Sequence, residues 1–140
     1  MSLFAVALTI HVLAAVLGLG PVVAMAFASA QKPAEGSLAQ ELRALMLRLS
    51  TWTSVGLGTL LVTGVLIEAG SGGSFHETWW FRLSFLLLFV LGALNGQTRR
   101  KLRRLDTARA ADALRGVSAL VWSMLALVAV VVFLMTNRPW

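Results

Sequence analysis

The chain has 140 residues, of which 58% are hydrophobic and 13% charged; it has no cysteine and a net charge of +6. A soluble domain carries about 25% charged residues, so this chain has too little polar surface to cover a water-soluble globule, and lipid is the expected solvent. The lack of cysteine excludes disulfides, thiolate metal centres, cysteine-ligated iron–sulfur clusters and a cysteine nucleophile.

A membrane-spanning helix takes roughly 20 predominantly apolar residues. The first such run, over 3–30, has no charged side chain before Lys32. It ends in AFASAQ, a small-residue stretch of the kind that signal peptidases cleave. It has no basic leading segment, though, and far exceeds the roughly 7–15 apolar residues of a signal core, so it is expected to be retained as a helix. Gly18-Leu-Gly-Pro21 interrupts the run. Pro21 lacks an N–H and frees the Leu17 carbonyl, which predicts a kink. That kink serves either to fit a long helix to its neighbours or to open space for a ligand.

A second helix is expected over 38–69. Ser37-Leu-Ala-Gln40 fits a capping box, and 19 uncharged residues separate Arg48 from Glu68. GSGGS, residues 70–74, is a flexible connection. A third helix is expected over 75–104, opened by a second capping box, Ser74-Phe-His-Glu77, with 16 uncharged residues between Arg82 and Arg99. Trp79 and Trp80 read as an interfacial aromatic belt. A fourth is expected over 107–136, capped by Asp106, with 22 uncharged residues between Arg115 and Arg138. No internal repeat is visible. The simplest assembly is a single all-α membrane domain over 1–140, a transmembrane up-and-down four-helix bundle.

Ten of the twelve basic residues fall on one side of such a bundle, seven of them between Arg99 and Arg115. The excess of Lys and Arg in cytoplasmic loops puts the basic loop over 98–115 in the cytoplasm and both termini outside, in a bacterial inner membrane. The charge is then a topology signal, with an attraction to anionic headgroups at the same loop, and nucleic-acid binding is not expected.

His11 is the one ionisable side chain inside the first span. Its helical neighbours Ala7, Ala14, Ala15 and Gly18 are small, and small residues let helices approach closely in lipid. Leu8, Phe4 and Val22 complete that face, while Val12, Leu13, Val16 and Leu17 point elsewhere. His11 should therefore face the bundle interior, about 12 Å below the outer surface at 1.5 Å rise per residue. Two roles compete. In the first, the ring hydrogen-bonds to Thr59, Thr63, Ser84 or a freed carbonyl, and its role is packing. In the second, it is a ligand for haem iron or a metal, or a proton carrier, since an ionisable residue in a membrane span is by default a functional candidate and neutral imidazole suits iron and copper. No methionine matches its depth as a second ligand.

Glu68, His76, Glu77 and Arg82 form the densest polar cluster outside the basic loop. They read as an ordinary solvated helix terminus or as a shallow metal site of His76 with Glu68 or Glu77. Glu68 and Arg82 are placed to pair. A second polar layer, with Thr51, Trp52, Thr53, Asn95, Gln97, Trp122 and Ser123, lies toward the basic loop. Asn95 is the costliest of these to bury and should bond across to helix 2 or helix 4. Paired carboxylates inside the bundle, a Ser–His–Asp set, a phosphate-binding glycine loop and H-E-x-x-H are all absent from the sequence.

His11-Val-Leu-Ala-Ala-Val-Leu-Gly18 and the ending Phe133-Leu-Met-Thr-Asn-Arg-Pro139 resemble the first and last helices of an uncharacterised small four-helix bacterial membrane family related to copper resistance protein D. More distantly, the chain is similar to the small haem-biosynthetic membrane proteins that oxidise protoporphyrinogen. The resemblance implies handling of haem, copper or electrons, with His11 as the matching position. The chain departs from the pattern in having no second deep histidine, no methionine-rich copper track and no basic residue deep in helix 3. The expected function is haem or metal binding through His11, for redox or metal handling. The alternatives are a structural subunit that docks a membrane partner or a second copy of itself, and membrane transport.

Overall fold

A computed structural model describes residues 3–31, 36–73, 77–104 and 110–136. They form four helices: α1 (Leu3–Ala30), α2 (Ser37–Gly70), α3 (Trp79–Arg104) and α4 (Ala110–Thr136). Each is long and apolar enough to cross a membrane. The architecture is an all-α four-helix bundle, and the chain is a multi-pass membrane protein. Outward-facing side chains are large and apolar, among them Val16, Leu17, Phe27, Leu86, Phe89 and Phe133. A helix that is hydrophobic all round fits a lipid surround.

The helix starts differ from the capping patterns. The residue before α2 is Gly36, at φ 75°, and no side-chain cap bond forms there. α3 begins at Trp79, four residues beyond Phe75; Glu77 and Thr78 lie in a turn ahead of it, and Ser74 and His76 fall outside the described residues. Asp106 falls outside them too. α2 leaves its last turn through Gly72 and Gly73, at φ 72° and 79°. These left-handed values suit glycine and let Gly73 N–H reach the Glu68 carbonyl at 3.1 Å. α1 runs on through Pro21 without a break.

α1 packs most extensively on α2, and α3 on α4; α1 with α4 and α2 with α3 close the ring. The packing is graded along the bundle axis. The largest fully buried side chains are Val22, Met25, Met46, Leu91, Leu102, Val117, Val121 and Met124, joined by the polar Ser50, Thr53, Asn95 and Thr98. They run from the middle of the bundle, at Thr53, Leu91 and Met124, into the half that carries the arginines. The other half, around His11, is packed less tightly.

The polar groups of the arginine half are largely satisfied. Ser50 Oγ donates to Asn95 Oδ1 at 2.9 Å, and Asn95 Nδ2 donates to the Ser50 carbonyl and to Ser54 Oγ, each at 2.9 Å. Asn95 thus bridges to α2, one of its two expected partners. Thr98 Oγ1 bonds to the Leu94 carbonyl and approaches Met124 Sδ at 3.9 Å. At the end of α3, Arg43 Nε reaches across from α2 to the Leu102 carbonyl at 2.6 Å. The last carbonyls of a helix lack intrahelical donors and carry partial negative charge, so a guanidinium there both caps α3 and ties it to α2.

Candidate functional site

Two glycines set the distance between α1 and α2. A Cβ added to Gly56 would lie 2.1 Å from Gly18 Cα, and one added to Gly18 would lie 2.7 Å from Gly56 Cα. The two backbones therefore touch. One heptad away along each helix, His11 meets Thr63. Phe4 and Gly70 meet one heptad further on. Gly56 stands as far from Thr63 as Gly18 does from His11, a matched spacing that is the one sequence sign of this contact.

His11 turns inward, as its small-residue neighbours suggested: Ala7, Ala14, Gly18 and Val22 are buried, whereas Val12, Leu13, Val16 and Leu17 are exposed. Its Nδ1 lies 2.8 Å from Thr63 Oγ1. We assign the tautomer from the Thr63 contacts. Thr63 has one hydroxyl proton, and Oγ1 points it at the Thr59 carbonyl at 2.7 Å. Its lone pairs then accept from His11, so Nδ1 carries the N–H. In a neutral imidazole the other nitrogen is an acceptor. With this assignment Nε2 is the acceptor; the ring also meets the Leu60 backbone carbonyl. Fixing Nδ1–H on an oxygen so that Nε2 faces outward is the arrangement that orients a histidine for ligation.

His11 borders a cavity of about 360 Å³ between α1, α2 and α3, lined also by Phe4, Leu8, Val12, Leu60, Gly64, Ile67, Trp80, Phe81, Ser84, Phe85 and Leu88. Ligand cavities span roughly 300–1,000 Å³ and are mostly apolar with a few polar groups. Trp80 belongs to this wall, whereas its neighbour Trp79 is exposed. The two point differently because successive helix residues are about 100° apart. Ser84, the third hydroxyl considered for His11, is buried, and its Oγ has no partner among the described residues.

The remaining candidates lie elsewhere. Glu68 and Arg82 border a second, open groove between α2 and α3, of about 540 Å³. Glu77 is exposed in the turn before α3. His76 lies outside the described residues. Among the described residues, no three histidine, aspartate or glutamate side chains come together to hold a metal ion.

No known protein family, curated protein or solved structure matches this chain.

Proposed function

We propose that this is a small membrane-embedded binding protein that holds a flat, membrane-soluble redox cofactor through Nε2 of His11. The observation that carries the reading is a histidine ring held by Thr63 in the wall of an apolar, partly aromatic cavity. A bare metal ion fits poorly, because among the described residues His11 is the only metal-binding side chain in the cavity wall. Were the cofactor a haem, His11 would ligate it and Phe4, Trp80, Phe81 and Phe85 would supply apolar contacts. Such a haem would supply one-electron chemistry. The arginine end then faces the cytoplasm of a bacterial inner membrane, with both termini outside, as the loop charges require.

The test is a visible absorption spectrum of the protein purified in detergent from haem-replete cells. A Soret band that disappears in His11→Ala, with helicity retained, is the expected result for haem. A colourless protein with no His11-dependent ligand of any kind removes the reading.

A second reading rests on α3. Gly92 and Gly96 form a G-x-x-x-G pair in an apolar span, both are exposed, and a Cβ at either would meet nothing within 4 Å. That spacing is a packing face for another transmembrane helix, which suits a partner subunit or a homo-oligomer. Under this reading, Gly92→Ile abolishes a crosslinked species seen in native membranes. A crosslinking pattern that is random, or unchanged by the substitution, counts against it.

A further inference from the structure

Ser84 shares the cavity wall with His11, is 5% exposed, and its hydroxyl has no hydrogen-bond partner among the described residues. Thr51, Thr59 and Thr98 return their hydroxyl proton to the carbonyl one turn back, whereas Thr53 Oγ1, fully buried in the packed core, shares with Ser84 the lack of a partner but is not part of this cavity wall. Buried polar groups are almost always paired. An unpaired one at a cavity wall, free to turn about χ1, suits a ligand that brings a partner for it. The flat face of a porphyrin offers none.

The cavity also has a side exit. Phe81 and Phe85 border both the cavity and the open groove of about 540 Å³, whose other walls are Val65, Leu86 and Phe89 with the charged Glu68 and Arg82. Their rings follow one another along α3 in tilted contacts, with Phe81 to Phe85 centroids 5.8 Å apart and Phe85 to Phe89 5.7 Å. Phe81 and Phe85 are thus a partition of two side chains between the His11 cavity and the bilayer. Phe89 is exposed on the lipid side of it.

We propose that the cavity binds the ring of a lipid-borne quinol. One ring hydroxyl donates to His11 Nε2, the other oxygen pairs with Ser84, and the apolar tail leaves between α2 and α3 past Phe81 and Phe85. This rests on the reading that His11 anchors a flat ligand, and it names that ligand's class. Size is compatible with it: about 360 Å³ takes one substituted ring and the start of its tail. The tautomer supports it too. Nε2 accepts, so it needs an O–H, which the reduced ring has and the oxidised ring lacks. The site should therefore prefer quinol over quinone. The aromatic walls supply stacking partners for either form.

The experiment is a titration of the full chain in phosphatidylethanolamine/phosphatidylglycerol nanodiscs with decylubiquinol, kept reduced, and with decylubiquinone. The readout is quenching of tryptophan emission, since Trp80 lines the cavity. The quinol is expected to bind about tenfold more tightly than the quinone, with His11→Ala removing that preference. Ser84→Ala is the more telling variant. It deletes an unpaired hydroxyl, so the ligand-free protein should unfold at the same temperature or higher, while quinol affinity falls about fivefold. Equal affinities for the two forms, together with no effect of Ser84→Ala, overturn the proposal. A His11-dependent Soret band with no quinol binding also overturns it but leaves His11 as an anchor. If neither haem nor quinol depends on His11, both readings fall.

Discussion

Replacing Gly56 with leucine should lower stability by at least ~3 kcal/mol and abolish ligand binding. The cause is backbone contact. A Cβ on Gly56 would fall 2.1 Å from Gly18 Cα and 3.2 Å from the Ala14 carbonyl oxygen. Neither is the far end of a flexible side chain that can swing aside. α1 and α2 must separate along their most extensive interface, and His11 loses Thr63 two turns away. Gly58→Ala is the matched control. Gly58 lies on the same helix, but a Cβ there would meet nothing within 4 Å. Alanine is better than glycine in a helix by roughly 0.5–1 kcal/mol, so this change should be neutral or slightly stabilising. Thermal unfolding in detergent, followed by circular dichroism, reads both. An unchanged midpoint for Gly56→Leu would mean that the two helices are not in contact at this level.

The second large effect is expected at Asn95. Its carboxamide makes three hydrogen bonds to α2, and Ser50 and Ser54 are its partners. Interhelical hydrogen bonds in membranes average about 0.6 kcal/mol each, so Asn95→Ala should cost ~2 kcal/mol in the same unfolding experiment. Asn95→Asp should cost more, although it is nearly isosteric. It keeps an acceptor for Ser50 Oγ but turns a carboxylate oxygen toward the Ser50 carbonyl, where Nδ2 now donates. Repulsion and a desolvated charge then add to the lost bonds. If the aspartate variant is more stable than the alanine variant, the amide is oriented the other way round.

Much of the fold can be read from hydropathy. Runs such as the one before Lys32, and the one between Arg115 and Arg138, are too long and too apolar to be anything but spans, and α1 ends at Ala30 as they imply. Helix periodicity was enough to turn His11 inward and to narrow its partners to Thr59, Thr63 or Ser84. Choosing Thr63 needed the register between α1 and α2, which no single helix encodes. The Gly18–Gly56 contact sets that register, and a lone glycine in a lipid-facing pattern gives little sign of touching a particular residue elsewhere. The same limit hid the role of Trp80, since whether a terminal tryptophan meets headgroups or a cavity depends on how far α2 and α3 splay. The start of α3 was placed too early because Ser74-Phe-His-Glu77 has the letters of a capping box, whereas Glu77 and Thr78 belong to the turn. The cavity itself arises from three helices packing less tightly at one end, a property of their joint geometry.

The heptad-spaced meeting of α1 and α2 also limits where the chain length can vary. Adding or deleting one residue between Gly56 and Thr63, or between His11 and Gly18, rotates one partner by about 100° relative to the other and puts the imidazole out of phase with its hydroxyl. The stretch that joins α1 to α2 lies outside that ruler. It can lengthen or shorten without disturbing the pair, so drift in length is tolerated at the turn and not within the two spans.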